Sequence, residues 1–358
     1  MKKRMITLRG MARAAAVLTA VGMLTACGGT KEAATTAAAD KTEAAGAQGA
    51  DEVTLKIGLP APTGSFQYDV LTLLGENLES VSDGKMKLDI AAGGVLGNTA
   101  SHYSQMAQGT LDLFCTGFDT ASALKEGKDF QVVTVPFLFD DLDHYKKFLE
   151  SDVLKEMLAP VESANGLKFG GVISDQAPRA LTTTNTPVKT VDDVKNLKIR
   201  CPESPAIVDV WTAMGANPMI VSGGELFSAL QSGQVDGQDN DLINSYASSF
   251  SEVQKYFMPL DYIYSDLIVW MSQKTYDKLS DEQRADFDEA VSKTYEAMSD
   301  KVWNELYAAD EKAFQEEGVT FVDVDKSGFQ KVAEEYAAKQ DGTLWKEGLY
   351  QQIRDLAK

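Results

Sequence analysis

Hydrophobic and polar residues follow two different periods along most of the chain. Residues 53–59 (VTLKIGL) and 85–91 (KMKLDIA) alternate with the period of a half-buried β-strand, and residues 111–116 (LDLFCT) add a third short apolar run. Between these runs, residues 66–81 and 99–108 have the three- and four-residue apolar spacing of amphipathic helices. Strands that alternate with helices predict an α/β fold with substantially parallel pairing.

Capping sequences mark three further helix starts. The segments TVDD at Thr190, SGGE at Ser222 and SDEQ at Ser280 each place an acid or amide three residues after a hydroxyl side chain. This is the spacing of a capping box, in which the two side chains bond each other's backbone N–H groups. We therefore predict that helices begin directly after these three residues.

One predicted helix is too long for a single compact lobe. From Asp281 to about Glu317 the chain contains no proline or glycine, and apolar residues recur every three or four positions. Such a helix would be roughly 50–55 Å long, whereas a domain of ~150 residues is about 35–40 Å across. We favour a helix that bridges two lobes, with a kinked helix or one that pairs with a second chain as the alternatives.

The first residues have the pattern of an export signal followed by a tether. Residues 1–26 carry five basic residues and no acid, and their apolar run is shorter than the ~20 residues of a membrane span. The run ends in LTAC, which resembles the lipobox of bacterial lipoproteins, in which the cysteine, here Cys27, is lipidated. Residues 27–51 contain little that could be buried and predict a flexible tether. A secreted protein with a chance cysteine is the alternative.

The charge balance excludes one class of partner. The 358 residues include 34 basic and 53 acidic side chains, for a formal net charge of −19. Nucleic-acid binding requires clustered lysine and arginine, so nucleic acid is not expected as a partner. An anionic small molecule is still compatible with this composition, because dispersed surface charge is screened over about 8–10 Å.

Side chains that commonly serve in catalysis or metal binding are scarce. His102 and His144 are the only histidines, and both are predicted on helix surfaces. The sequence has no Ser-His-Asp pattern, nucleophile elbow or phosphate loop, so neither an enzyme nor a cofactor is expected. Cys115 and Cys201 are predicted to be free buried thiols, with a disulfide as the alternative in an exported protein.

An arginine stands at the end of a strand-like run in LKIRCPESP, residues 197–205. Pro202 ends the predicted strand because it has no N–H group for the ladder. The guanidinium of Arg200 presents parallel donors that fit a planar carboxylate and stays charged when partly desolvated. In the alternative interpretation, Arg200 pairs with Glu203 or Asp236 at an ordinary sheet edge.

Four segments together resemble the solute-binding proteins of tripartite ATP-independent periplasmic (TRAP) transporters. They are GGVLGNTASHYSQMAQGTLDL (93–113), FQVVTVPFLFDDLDHYKKF (130–148), VKTVDDVKNLKIRCPES (188–204) and MGANPMIVSGGELFSALQSGQVDGQDN (214–240). The resemblance covers essentially all of residues 53–358. Its most specific part is the combination of LKIR with ALQSGQVDGQDN.

The resemblance implies a two-lobed fold like that of periplasmic binding proteins, with a cleft between the lobes and one long helix spanning both. Residues 52–176 and 266–305 would form lobe I, and residues 177–265 and 306–358 lobe II. The protein would be exported, lipid-anchored to the outer face of the cytoplasmic membrane, and would deliver its ligand to the membrane permease of a TRAP transporter.

The resemblance also implies which residues bind the ligand. Arg200 matches the arginine that typically forms a two-pronged salt bridge with the ligand carboxylate. Arg179 matches a second arginine of the family, and Asn240 matches the asparagine after the VDG motif. The remaining predicted site residues are Glu203, Thr116, Phe66 and Asp241. The loop after the first strand lacks the His or Asn that the family often has there, but Ser65, Phe66 and Gln67 are expected within reach of the cleft. A purely structural role stays open for Arg179, and Asn240 is also common in turns.

Sugar acids such as hexuronates and aldonates are the favoured ligands. The segment that follows Leu226 looks most like family members that bind them, and Gln238, Asn240, Asp241 and Asn244 offer donors and acceptors for a polyhydroxy chain. C4-dicarboxylates are the main alternative, with Arg179 facing the second carboxylate. An exported enzyme and a binding protein of an ATP-driven importer are the alternatives outside the family.

Overall fold

A computed structural model describes residues 52–202 and 204–358. The predicted export signal, the lipidated Cys27, the tether and Glu203 lie outside these described residues. Eleven strands form two sheets within the described chain. The strands are β1 (Val53–Gly58), β2 (Met86–Ala91), β3 (Leu113–Thr116), β4 (Leu167–Gln176), β5 (Arg179–Thr183), β6 (Lys198–Cys201), β7 (Asn217–Ile220), β8 (Gly237–Asp241), β9 (Tyr256–Met258), β10 (Ser265–Ser272) and β11 (Thr320–Phe321).

Twelve α-helices connect and cover the strands of the described chain. They are α1 (Phe66–Val81), α2 (Thr99–Gln108), α3 (Leu142–Glu150), α4 (Asp152–Asn165), α5 (Pro205–Ala213), α6 (Gly223–Gln231), α7 (Leu242–Ala247), α8 (Gln273–Tyr276), α9 (Asp281–Lys301), α10 (Tyr307–Glu316), α11 (Ser327–Gln340) and α12 (Leu349–Arg354). None of the helices in the described part of the chain combines the length and the hydrophobicity needed to span a bilayer.

Both sheets are mixed. The first has strand order β2-β1-β3-β10-β4 and the second β11-β9-β5-β8-β6-β7. Parallel pairs join β1 to β2 and β3, and β6 to β7 and β8, as the alternation of strands and helices predicts. However, β10 is antiparallel to β3 and β4, and β5 is antiparallel to β8 and β9. The predicted α/β class with two lobes is confirmed, but the pairing is less parallel than expected.

Local signals place the helices largely as predicted. The first helix begins after Ser65, whose hydroxyl accepts from a backbone N–H of the first turn, and buries the predicted apolar face. Ser280 forms its predicted capping box at the start of α9. Thr190 also forms one, but only a short 3-10 helix, Val191–Val194, follows. Ser222 instead donates its hydroxyl to Glu225, at 2.8 Å, and caps no backbone N–H group.

Two of the points at which the chain crosses between the sheets are adjacent. The first sheet passes into the second between β4 and β5, and the second returns to the first between β9 and β10. The crossing strands also approach each other directly, because the backbone N–H of Arg179 donates to the carbonyl of Ile263 at 2.9 Å. Motion of one sheet against the other would therefore act on both segments together.

The long helix bridges the two sheets, as its length predicts. It runs from α9 through a π-helical segment, Val302–Leu306, into α10 without a break. Phe287 and Met298 pack in a cluster with the first sheet, whereas Phe314 packs against Phe257 of the second. The helix is thus a strut with one end in each core, as the bridging alternative predicts.

A buried carboxylate fixes the middle of this strut to the first sheet. Asp175 in β4 accepts hydrogen bonds from Tyr295 (3.1 Å), Ser299 (2.6 Å) and Trp303 (2.9 Å) on the helix. The last of these donors belongs to the π-helical segment, a distortion that often occurs where a helix serves a functional geometry. The attachment lies beside the end of β4, where the chain crosses to the second sheet.

Two glycines allow the long helix to approach β4 closely. Gly171 has φ of +116°, a region that favours glycine, and a Cβ there would lie 2.7 Å from Val291 of α9. A Cβ on Gly170 would lie 2.9 Å from the carbonyl oxygen of Val269 in β10. The register of β10 against β4 shifts at this point, which is the signature of a β-bulge.

The C-terminal residues differ from the predicted division of the lobes. Residues 306–358 were all expected in lobe II, and Phe314 and Phe329 do pack on the second sheet. Trp345 and Ile353 instead join the core beside the first sheet. The chain after α11 therefore returns to the first sheet, because its apolar residues complete the cluster around α3 and α4.

The prediction that both cysteines are free and buried is confirmed. The prediction that both histidines lie on helix surfaces is wrong. Cys115 and Cys201 are free and buried, one in each sheet, and burial raises the pKa of Cys115 to about 12. His102 and His144 are buried rather than exposed. His144 is satisfied, since Nδ1 accepts from a backbone N–H of its own helix start and Nε2 lies 2.8 Å from the carbonyl oxygen of Ile353.

The environment of His102 is less favourable than that of His144. It is fully buried and stacks on Phe114, with ring centroids 4.7 Å apart. Neither ring nitrogen has a hydrogen-bond partner among the residues that the structure describes. Burial lowers the pKa of His102, because the charged ring would lose its hydration without gaining a partner.

We predict that His102 lowers the stability of the folded protein in mild acid. Its pKa is lower in the folded state than in the unfolded one, so the unfolded state alone takes up the proton as the pH falls through about 6.5. The free energy of unfolding should then fall by up to about 1.4 kcal/mol per pH unit from this residue. Urea unfolding at pH 7.5 and 5.5 should show a smaller difference for His102→Leu than for the unaltered protein. An equal difference in both proteins would contradict the prediction.

Candidate functional site

A cavity of about 280 Å³ lies where the two sheets meet. The loops that follow β1 and β3 form one side of it, and the crossing segments and the start of α5 form the other. The carboxyl ends of parallel strands and the switch between sheets are the usual ligand sites of α/β folds. Polar residues in its lining include Gln67, Thr116, Asp119, Tyr145, Arg179 and Asp266.

Arg179 is held at the cavity wall by an ion pair with a fully buried acid. Its Nε donates to Oδ1 of Asp239, and its Nη2 donates to the backbone carbonyl of the same residue at 2.9 Å. Trp211 Nε1 donates to Oδ2 of Asp239 at 2.7 Å, and the hydroxyl of Tyr262 donates to the same oxygen. Both carboxylate oxygens are therefore bonded, so the acid cannot rotate away from the arginine.

The strand register explains why these two residues meet. Arg179 begins β5, which is antiparallel to β8, and Leu181 lies opposite Asp239. Residues two apart on a strand share a face, so Arg179 is the diagonal neighbour of Asp239 on one side of the sheet. Gly237 permits this pairing, because a Cβ there would lie 2.2 Å from the carbonyl oxygen of Thr182. The VDG sequence is thus required for close contact of the strands.

The buried ion pair shifts the protonation equilibria of its members. Burial alone would lower the pKa of Arg179, but the neighbouring Asp239 carboxylate raises it above its ordinary value. Burial raises the pKa of Tyr262 well above its ordinary range, and the charge of Asp239 raises it further. The arginine is therefore a permanent cation, and the tyrosine remains a hydrogen-bond donor at all ordinary pH values.

Two further carboxyl groups line the same cavity. Asp119 lies in the 3-10 helix Phe118–Ala123 that follows β3, and Asp266 is the second residue of β10. The hydroxyl of Tyr145 donates to Oδ1 of Asp266. Burial raises the pKa of both carboxyl groups, and Arg179 opposes the rise at Asp119. The cavity thus presents one cation and two acids, and Asp119 lies within electrostatic reach of Arg179.

Arg200 lies beside the cavity but not on its surface. It is 6% exposed, and its Nε donates to the carbonyl oxygen of Val221 at 2.8 Å. Its strand, β6, pairs with β8 on one side and β7 on the other. Pro202, two residues later, does line the cavity. The structure therefore brings Arg179, rather than Arg200, to the cavity wall.

The other predicted site residues divide between the cavity and the scaffold. Thr116 lines the cavity and shares a hydrogen bond of 3.0 Å with Thr120. Phe66 is 6% exposed and packs in the core of the first sheet, so its neighbour Gln67 reaches the cavity instead. Asn240 accepts from the backbone N–H of Asp241, which in turn caps α7.

The residues that orient Arg179 were not predicted from the sequence. Asp239 lies within the recognised VDGQDN segment, but the strand register that places it beside Arg179 is not visible in the sequence. Trp211 and Tyr262 come from α5 and the second crossing segment, and no sequence pattern relates them. The described residues contain no group of three or more His, Cys, Asp or Glu side chains arranged for a metal ion.

Comparison with known proteins gives a consistent result. Residues 57–342 match the sequence model of a family described as bacterial extracellular solute-binding protein, family 7. The sialic acid-binding periplasmic protein SiaP of Vibrio cholerae is 31% identical over 254 residues, which are 70% of this chain and 76% of that protein.

Two crystal structures extend the similarity to the fold. A TRAP periplasmic solute-binding protein from Roseobacter denitrificans with bound L-galactonate has a TM-score of 0.76 at 25% identity, covering 86% of this chain and 99% of that one. A TRAP periplasmic solute-binding protein from Citrobacter koseri with bound D-glucuronate has a TM-score of 0.74 at 26% identity, covering 85% and 99%.

We predict that Asp239→Asn destabilises the protein strongly. The change leaves the Arg179 cation buried without an opposite charge, and breaking a buried pair in this way costs about 3–5 kcal/mol. Urea unfolding followed by tryptophan fluorescence measures the loss. Asp323→Asn, an equal change of charge at an exposed residue, should have an effect below about 0.5 kcal/mol. Similar stabilities for the two variants would show that the pair is not important for the fold.

Proposed function

Since the chain belongs to family 7 of the bacterial extracellular solute-binding proteins, the binding proteins of TRAP transporters, we propose that it captures an organic-acid anion for import. The ligand carboxylate binds to arginine, and a sugar acid is the favoured ligand. The protein then delivers the ligand to the permease of its transporter. Its role is binding rather than catalysis, as for the rest of the family.

The position of Arg179 is the observation that carries this proposal. A guanidinium has five N–H donors, and Asp239 accepts from two of its nitrogens while Trp211 and Tyr262 hold the acid in place. The cation is thus preorganised at the cavity wall, which reduces the side-chain entropy lost when a carboxylate binds. A single planar anion fits this donor geometry better than a neutral sugar does.

Arg200 is proposed as the second arginine of the site. Its strand lies beside β8, which carries Asp239, and Pro202 brings the same segment to the cavity. Because Arg200 is buried, it would act either directly in the ligand-bound arrangement of the lobes or by supporting the wall next to Arg179. These two roles differ in whether ligand affinity changes when the residue is replaced.

A hinge motion would couple binding to delivery. The cavity lies at the two crossing segments, so its walls belong to both sheets. A ligand that contacts both walls stabilises the closed arrangement by its differential affinity for it. The permease would then recognise the closed state, and opening would release the ligand.

The chemistry of the relatives' ligands supports the choice of a sugar acid. L-galactonate and D-glucuronate, bound in the two crystal structures, and sialic acid all combine one carboxylate with several hydroxyl groups. The hydroxyl and amide groups of Thr116, Gln67 and Tyr145 are suited to such a ligand. We therefore propose a hydroxylated monocarboxylate as the ligand of this chain.

We predict that Arg179→Lys weakens binding at least about tenfold. Lysine keeps the charge but loses the paired donors, and a tenfold loss corresponds to about 1.4 kcal/mol. With D-glucuronate or L-galactonate at 100 times the dissociation constant, ligand should stabilise the unaltered protein by about 2.7 kcal/mol, and the variant by about 1.4 kcal/mol or less. Thermal unfolding with and without the acid measures both values.

Two matched variants complete this test. Arg354→Lys changes an arginine that is bonded to Asp140 outside the cavity and should keep the full stabilisation by ligand. Arg200→Lys should reduce the stabilisation if Arg200 binds the carboxylate, and should lower only the stability of the empty protein if it is structural. Full stabilisation of Arg179→Lys by the acids would refute the carboxylate role of Arg179.

The proposed lipid anchor makes a separate prediction. If Cys27 is lipidated after removal of residues 1–26, Cys27→Ser should abolish incorporation of labelled palmitate and shift the protein from the membrane to the soluble fraction. Cys115→Ala, which alters a buried thiol of the folded part, should still incorporate the label. Labelled, membrane-bound Cys27→Ser protein would exclude this anchor.

A further inference from the structure

The two acids that line the cavity have no role in carboxylate binding. Arg179 is the basic side chain among the described residues that line it, and Asp119 and Asp266 share the same space. A site built only to attract anions would exclude such acids, because burying a carboxyl group near an anionic ligand raises the cost of binding it. Asp119 lies within electrostatic reach of Arg179, and the presence of both acids indicates that the ligand groups beside them are not anionic.

Asp266 offers an unused hydrogen-bonding position. The residue is 1% exposed, and Tyr145 occupies its Oδ1. Oδ2 has no hydrogen-bond partner among the residues that the structure describes. An unpaired buried carboxyl oxygen is costly, and in native proteins such an atom usually has a ligand, water or mechanistic explanation. At the edge of a ligand cavity, a ligand hydroxyl is the simplest partner.

Asp119 lies close to Asp266 in the lining of the same cavity. A Cβ on Gly117 would lie 2.6 Å from Oδ1 of Asp119 and 3.5 Å from the backbone oxygen of Asp266, so this glycine lets the two residues come together. Arg179 is connected to the wall through its backbone N–H, which donates to the carbonyl of Ile263, three residues before Asp266. The acids and the arginine are therefore set at defined positions around one small space.

We propose that Asp119 and Asp266 determine the specificity of this site. They bind hydroxyl groups of a ligand whose carboxylate contacts Arg179, and they select hydroxylated monocarboxylates over dicarboxylates with the same carbon chain. The inference rests on the proposed function. It adds two ligand-binding residues and predicts that dicarboxylate ligands are rejected.

The selection against a second carboxylate is strongest when the acids are ionised. An ionised carboxylate accepts a hydrogen bond from a hydroxyl, and a neutral carboxyl group can both donate and accept. A second ligand carboxylate is repelled by an ionised acid, and it can approach a neutral acid only if the shared proton is retained. A ligand hydroxyl can therefore bind to the acids in both protonation states. A second ligand carboxylate can bind only when the acids are neutral.

Three matched pairs of acids test this rule. D-gluconate and D-glucarate, L-galactonate and galactarate, and D-erythronate and meso-tartrate each differ only by a terminal hydroxymethyl or carboxylate group. Calorimetric titration of the purified protein should show that the monocarboxylate of at least one pair binds at least about tenfold more tightly than its dicarboxylate. Asp119→Asn and Asp266→Asn keep the shape of the side chains and remove the acid, so each should narrow this ratio at least about threefold.

Controls separate the possible outcomes. Asp323→Asn makes the same change of charge at an exposed residue and should leave the ratio unchanged. If Asp266→Asn does not fold, Asp119→Asn decides the question alone. Equal binding of both acids of every bound pair, or an unchanged ratio in the folded variants, would overturn the proposal. If none of the six acids binds the unaltered protein, the proposed function itself fails, and this inference fails with it.

Discussion

The ion pair between Arg179 and Asp239 is the interaction on which the binding site depends. A guanidinium at the wall of a small cavity loses much of its hydration, and the desolvation cost is offset only if the partner acid is fully bonded. Trp211 and Tyr262 supply the remaining bonds to Asp239, so the pair is rigid in the empty protein. In the proposed function, the arginine would therefore bind a carboxylate without first having to be ordered.

The scaffold places this pair where the two sheets exchange strands. The strands that follow the two crossing segments carry Arg179 and Asp266. The long helix packs in both cores and donates a hydrogen bond to Asp175, near the end of β4. A protein with a formal net charge of −19 can thus present a local cation to an anion, because the cavity is shielded from the dispersed surface acids. In our proposal, the acids within the cavity restrict which anions bind.

Periodicity and local signals were sufficient for most of the fold. The alternation of apolar residues predicted β1, α1, β2, α2 and β3, and the uninterrupted run after Asp281 predicted a helix longer than one lobe. These features depend on neighbours in sequence, so a single chain contains the information. The mixed pairing of the sheets, the burial of His102 and His144, and the return of Trp345 to the first sheet depend on distant segments and were not predicted.

The sequence by itself determined the family and the two arginines that its motifs contain; whether Arg200 and Asn240 bind the ligand stays a prediction. Only the tertiary structure decided that Arg179 lines the cavity and that Asp119 and Asp266 face the same space. The reason is that motifs specify residues along one strand or turn, whereas a cavity is assembled from loops that are far apart in sequence. Which side chains share it depends on strand register, on the crossing between sheets and on the close contacts that glycines such as Gly117 permit.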